Sequence, residues 1–127
     1  MPPDQLASSR ADAVARYRRG VALLRRGRAA QAIAVLRDAA AADGGLAVAL
    51  AALAVAESAV GCVRWQATID AASRRRDISR RERQHVAIVA LALAGNTSRA
   101  SALAQEHLHE FPRDDVVALV VGEHVVD

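Results

Sequence analysis

Residues 20–36 read GVALLRRGRAAQAIAVL, and they contain the pattern that decides the fold. An apolar helical stripe ends at Gly27, because glycine adopts the left-handed conformation that closes a helix at little cost, and an alanine-rich helical pattern follows it. Glycine returns at Gly61 and again at Gly95, each 34 residues further along the chain. A fixed period of this length indicates an array of repeated helical hairpins.

Hydrophobic periodicity predicts a single all-α domain of seven helices. The helical hairpins are predicted at about residues 10–44, 46–78 and 80–112, followed by a final helix at 115–126. The first helix is expected to end at Gly27, and the second is expected to run from 28 to 42. The third and fourth helices are expected to run from 46 to 58 and from 63 to 75. Because the predicted turns are short, consecutive helices are expected to be antiparallel neighbours.

Local signals predict where several helices begin and end. Ser9 followed by Asp12 marks the start of the first helix, and Ser79 with Glu82 forms a capping box for the fifth. The predicted caps of the sixth and seventh helices are Thr97 or Ser98 and Asp114 or Asp115, and the second helix is predicted to end in the turn Asp43-Gly44-Gly45.

Aligned on the three glycines, the units share positions for small and for large residues. Seven residues before the glycine stand Gly20, Ala54 and Ile88. Four residues before it stand Leu23, Glu57 and Leu91, and five residues after it stand Ala32, Gln66 and Ala100. This arrangement resembles the tetratricopeptide repeat superfamily. Residues 80–121 are similar, more specifically, to the tetratricopeptide repeat protein 38 family, whose members are longer solenoids.

The resemblance implies a right-handed superhelix of antiparallel helix hairpins, with about three repeats plus one C-terminal helix. The next glycine of the period would fall beyond the end of this chain, so a fourth unit is expected to consist of its first helix alone. The resemblance implies protein binding and transfers no catalytic residue.

Composition narrows the classes of function. All 17 basic residues are arginine, the formal net charge is +3, and only 2% of the residues are aromatic, so there are few rings on which bases could stack. The single Cys62 excludes an internal disulfide and favours a reducing compartment. With no apolar signal core at the start and no apolar run of membrane-spanning length, the chain is expected to be cytoplasmic and without a membrane anchor.

The sequence predicts neither an enzyme nor a metal or cofactor site. It contains no nucleophile elbow, phosphate-binding loop or zinc-binding His-Glu-x-x-His helix. His107 and His109 are flanked by Glu106 and Glu110, but histidines two residues apart point to different sides of a helix. His107 is predicted to be a hydrogen-bonded core residue and His109 to face outward.

The first helix of each unit is expected to line a concave, mostly apolar groove. By the positions that the resemblance implies, the groove residues are Val14, Tyr17, Val21, Leu24, Val48, Ala51, Val55, Ser58, Glu82, His85, Val89 and Ala92. An apolar groove suits an amphipathic helix of a partner protein. The alternative is a narrow groove that its own side chains fill.

The final helix is the second predicted interaction surface. Its apolar residues are Val116, Val117, Leu119, Val120 and Val121, and the sequence offers no following helix to cover them. Leaving several such side chains in water is costly, so a second copy is expected to cover them in a homodimer. The alternative is that the seventh helix folds back over the sixth and hides its apolar face within the chain.

Six arginines near the third hairpin give a basic patch. They are Arg74, Arg75, Arg76, Arg80, Arg81 and Arg83. The patch could bind phosphate or nucleic acid, or it could be a solvated edge of the hairpin. The predicted function is therefore a non-catalytic scaffold that binds protein, either itself or a helical peptide. The alternative is an adaptor for nucleic acid or another anionic partner.

Overall fold

The computed structural model of the protein describes residues 3–42 and 46–121, with side chains from Arg10 onward, and this part of the chain consists of helices joined by turns. Its helices are α1 (Pro3–Arg25), α2 (Ala29–Ala41), α3 (Ala47–Ala59), α4 (Trp65–Ser73), α5 (Arg80–Leu93), α6 (Thr97–Glu110) and α7 (Asp115–Val121). No strand occurs in the described ranges, so the predicted all-α class is confirmed. The predicted turn at residues 43–45 and the predicted final residues of the last helix, 122–126, lie outside the described ranges.

The three periodic glycines end helices in the same way. Gly27, Gly61 and Gly95 have φ angles of 76°, 77° and 88°. After α1, the N–H of Arg28 donates to the carbonyl of Leu23 at 2.9 Å, and the equivalent bonds recur after α3 and α5 at 2.8 and 2.9 Å. These are the hydrogen bonds of a Schellman motif, which satisfies the last carbonyls of a helix. The predicted helix stops at the glycines are thus confirmed.

Other predicted boundaries are confirmed or corrected by a few residues. Ser79 and Glu82 form both hydrogen bonds of the capping box on α5. The predicted start of α1 at Ser9 is wrong: the helix begins at Pro3, where a proline's fixed φ fits the first turn. The cap of α6 is Asn96, whose side chain accepts from the backbone N–H of Arg99, and is neither Thr97 nor Ser98. The fourth helix is also shorter than predicted, because residues 62–64 remain in the turn.

Consecutive helices pack against each other, and α3 also packs against α5. The main core is formed by buried residues of α1 to α5 together with Val116 of α7. A smaller C-terminal core joins α5, α6 and α7 through Ile88, Ala100, Ala104, Val117 and Val121. Contacts between α1 and α7 bring the last described helix back to the first. None of the helices in the described ranges is both long and apolar enough to cross a membrane.

Gly20 allows the closest approach between α1 and α2. A Cβ atom at Gly20 would lie 2.5 Å from Cγ of Leu36, and Leu36 is fully buried. The small residue that the repeat pattern places here therefore has a steric reason, because a buried leucine surrounded by core atoms has no free space to move into.

We expect Gly20→Ala to lower the free energy of unfolding by about 1–2 kcal/mol, although alanine is the better helix former by up to about 1 kcal/mol. Chemical denaturation measures the change. In a Leu36→Ala background, where the clash is absent, the same substitution should be neutral or stabilising. A Gly20→Ala protein more stable than wild type would show that α1 and α2 are not in close contact here.

Candidate functional site

A buried carboxylate joins three helices near the C-terminal end of the described chain. Oδ2 of Asp114, in the turn between α6 and α7, lies 2.8 Å from Nδ1 of His85 on α5 and 2.7 Å from Nε2 of His107 on α6. The other oxygen, Oδ1, accepts from the backbone N–H of Val117, which caps α7. Nδ1 of His107 lies 2.8 Å from Oε1 of Gln84. We call Asp114, His85 and His107 the histidine–aspartate cluster.

The charge of Asp114 is stabilised by its neighbours. Burial alone would raise the pKa of its carboxyl, but the hydrogen bond and charge of His85, with the hydrogen bonds from His107 and Val117, lower it from 3.8 to about 2. An ionised carboxylate can only accept, so His85 Nδ1 and His107 Nε2 both carry protons. Burial and the charge of Asp114 also raise the pKa of Tyr17 on α1, which keeps that hydroxyl protonated.

The remaining nitrogen of His85 is unsatisfied. Nε2 is buried and has no hydrogen-bond partner among the described residues. With Nδ1 donating to Asp114, a neutral His85 presents Nε2 as an acceptor. An aspartate and a histidine in this arrangement occur in nucleophilic enzymes, but those need a hydroxyl or thiol on the free nitrogen. Within the described part of the chain no such group contacts Nε2, and the Ser79 hydroxyl is engaged as the cap of α5.

A cavity next to this cluster is lined by His85 and Asp114, and we call it the inner cavity. The inner cavity has a volume of about 700 Å³ and lies between α1, the start of α3, the start of α5 and the α6–α7 turn. Its apolar lining residues are Val14, Tyr17, Val21, Ala22, Leu46 and Val48. Its polar lining residues are Arg18, Ser79, Arg81, Glu82, His85, Arg113, Asp114 and Asp115.

Ten of the twelve predicted groove residues fall into three groups in the structure, and the other two, Ser58 and Ala92, are partly buried. Those that line the inner cavity are Val14, Tyr17, Val21, Val48, Glu82 and His85. Leu24 and Val55 line a second cavity of about 580 Å³ beside Leu119 of α7. Ala51 and Val89 are fully buried in the main core. At these two positions the groove is filled by the protein's own side chains, as the alternative predicts.

Three of the five residues of the predicted dimer surface are covered within their own chain, as the alternative of a folded-back helix predicts. Val116 and Val117 are fully buried and Val121 is 6% exposed. Leu119 packs against the main core, and Val120 packs against both cores. The helix contacts α6, as that alternative predicts, and it also contacts α5 and α1.

The six arginines of the predicted basic patch are directed to different places. Arg74 Nε donates to the carbonyl of Asp70, and Arg80 pairs with Glu110 of α6. Arg81 lies over the ring of Phe111, 5.2 Å from its centroid, and lines the inner cavity. Arg83 lines a separate cavity between α5 and α6, whereas Arg76 is exposed and Arg75 is partly buried.

His107 takes the inward position predicted for it, and His109 is exposed as predicted. Phe111 packs beside His107 with ring centroids 5.1 Å apart. Among the described residues no group of three histidine, cysteine or acidic side chains is arranged to hold a metal ion. Cys62 is a free, partly buried thiol, and Trp65 packs against the main core.

A second buried acidic group lies away from the inner cavity. Glu57 of α3 is 2% exposed, and its Oε1 has no hydrogen-bond partner in the described part of the chain. The nearest cation is Arg37, whose Nη2 lies 4.0 Å from Oε2 and whose side chain is largely exposed. Glu57 stands at the repeat position where the other two units have Leu23 and Leu91.

Sequence reasoning found the members of the histidine–aspartate cluster separately and missed their association. His85 was expected in the groove, His107 in the core and Asp114 as a possible helix cap. Their meeting depends on how α5 and α6 cross, which no local pattern states. The sequence does contain a signal for this association, because polar residues at three inward positions need hydrogen-bond partners and can supply them to one another.

The fold and this site define an all-helical protein with a buried histidine–aspartate cluster beside an arginine-rimmed, apolar cavity. Comparisons of the chain with protein-family models, with curated proteins and with solved structures give no match.

Proposed function

We propose that the protein is a non-catalytic interaction module of the tetratricopeptide type, which binds a helical segment of a partner protein along α1, α3 and α5. The inner cavity supports this proposal most directly, because six predicted groove residues line it and its volume of about 700 Å³ is large enough for several side chains. The recurring helix ends at Gly27, Gly61 and Gly95 support the repeat architecture. A right-handed superhelix remains part of the proposal.

Several observations favour binding over catalysis. His85 is the one member of the histidine–aspartate cluster with an unsatisfied nitrogen, and in the described part of the chain no nucleophile contacts it. Arg74, Arg80 and Arg81 of the basic patch are already engaged by a backbone carbonyl, by Glu110 and by the ring of Phe111, which weakens the nucleic-acid alternative. The free Cys62 fits a reducing compartment, and we propose a cytoplasmic location on that ground.

A peptide-display selection tests the binding surface. Helix-forming 16-residue peptides selected on the wild-type protein are expected to bind at least ten times more weakly to Val48→Asp, which places a charge on the apolar lining of the inner cavity. The matched control is Ala71→Asp on the exposed side of α4, which should bind as wild type does. If no selected peptide discriminates Val48→Asp from Ala71→Asp, the inner cavity is not the binding surface.

Self-association is the same proposal with a second copy as the partner. Because Val116 and Val117 of α7 are buried within one chain, we place the second copy in the groove and not on α7. Light scattering at tens of micromolar protein decides the point. A dimer that Val48→Asp dissociates would place the second copy in the groove, whereas a monomer at this concentration removes self-association from the proposal.

A further inference from the structure

We infer that the inner cavity binds an organic anion that carries its negative group on an apolar body. Three arginines from separate elements line this cavity: Arg18 of α1, Arg81 of α5 and Arg113 of the α6–α7 turn. All three residues are exposed, and none forms an ion pair with a carboxylate among the described residues. Guanidinium groups bind carboxylate and phosphate oxygens through paired N–H donors.

The acidic residues on the same cavity are already engaged by other groups. Oε1 of Glu82 accepts from the backbone N–H of Ser79 at 3.0 Å. Asp114 is held by both histidines of the cluster, and Asp115 pairs with Arg25 at 3.5 Å. These three carboxylates keep their charges, but each already has a partner, whereas the three arginines have no carboxylate partner among the described residues; a ligand anion supplies one.

The rest of the lining requires an apolar body next to the charge. Val14, Val48 and Leu46 supply aliphatic surface from α1 and from the start of α3. A volume of about 700 Å³ accommodates a chain of roughly eight carbons with its head group.

The inference rests on the cavity and is independent of the proposed protein partner. The required chemistry, an anion beside an apolar group, can come from a small molecule or from the end of a polypeptide. Two sets of probes separate these sources. The first is octanoate and octyl phosphate, with octanol and octylamine as controls of equal chain length. The second is a tetrapeptide ending in leucine, as the free acid and as the amide.

Titration followed by the methyl resonances of Val14 and Val48 reports binding at this site. We expect octanoate and octyl phosphate to bind with a dissociation constant of about 0.1–1 mM, as suits ligands of this size. Octanol and octylamine should bind at least ten times more weakly. A tetrapeptide acid that binds more tightly than octanoate assigns the site to polypeptide ends, and the reverse order assigns it to small molecules; either order supports the inference.

Paired substitutions test the role of the arginines. Arg81→Ala/Arg113→Ala should weaken octanoate binding at least tenfold, and Arg18→Ala should weaken it by a smaller factor. Arg26→Ala/Arg99→Ala removes the same charge from exposed positions away from the cavity and should change binding less than twofold. Replacing Arg81 also removes its contact with Phe111. Val48→Phe therefore serves as a second test, because it fills the apolar part of the cavity and leaves the arginines unchanged.

Three results would overturn the inference. They are octanol binding as tightly as octanoate, equal losses in the two double variants, and an absence of methyl shifts at 10 mM octanoate. Peptide binding in the display experiment would survive each of them, so failure here and failure of the proposed function are distinguishable.

Discussion

Asp114→Ala is expected to lower the free energy of unfolding at neutral pH by about 3–5 kcal/mol, the largest loss from a single substitution in this protein. The substitution leaves the buried N–H groups of His85 and His107 without an acceptor, and it removes the cap of α7. Urea denaturation followed by circular dichroism measures the change. Asp115→Ala is the matched control: its ion pair with Arg25 is exposed, so we expect a loss below about 1 kcal/mol.

The same variant has a characteristic dependence on pH. The pKa of Asp114 in the folded protein, about 2, lies below its ordinary value of 3.8. Its ionisation therefore stabilises the fold fully above about pH 4, and that stability is lost as the pH falls toward 2. The effect is on the order of 2 kcal/mol. The gap between wild type and Asp114→Ala should narrow over this interval, and a constant gap would show that the charge of Asp114 does not stabilise the fold.

Glu57→Leu is expected to raise the free energy of unfolding by about 2–3 kcal/mol, which corresponds to an increase in Tm of roughly 10 °C. The wild-type carboxylate is buried, one of its oxygens has no partner among the described residues, and Arg37 is too distant to neutralise it fully. Leucine has a similar length and is the residue that the first and third units use at this position. Differential scanning calorimetry measures the increase.

Glu106→Leu provides the control for Glu57→Leu, because Glu106 is an exposed helical carboxylate. Its replacement should change Tm by less than about 2 °C. Loss of stability in Glu57→Leu would mean that Glu57 has a partner that matters, and Arg37→Ala would then be equally destabilising. We expect Arg37→Ala to cost less than about 1 kcal/mol.

The features that sequence predicted best depend on neighbours within one turn of helix. Gly27, Gly61 and Gly95 need a left-handed backbone, and only glycine adopts it at no cost, so the residue reveals the conformation. The capping box of Ser79 and Glu82 is similarly local. Gly20 was also predictable, because a helical hairpin with this spacing needs a small residue where its two helices touch.

The site could not be predicted as a whole, because its parts come together from distant elements. Arg18, Arg81 and Arg113 lie on three elements, and their convergence depends on the angles between α1, α5 and α7. The same holds for α7, whose apolar pattern predicts that it must be covered but not what covers it. A local pattern specifies which face of a helix is buried, whereas the neighbour is fixed by the packing of the whole array.

The return of α7 to α1 changes how the array is expected to melt. In an open solenoid each unit stabilises only its immediate neighbours, so terminal units fray first and unfolding spreads inward. Here Leu24 of α1 and Leu119 of α7 share one cavity wall, and Arg25 meets Asp115 across 90 positions of sequence. Losing either end uncovers part of the other, so we expect the helices to unfold in a single cooperative transition.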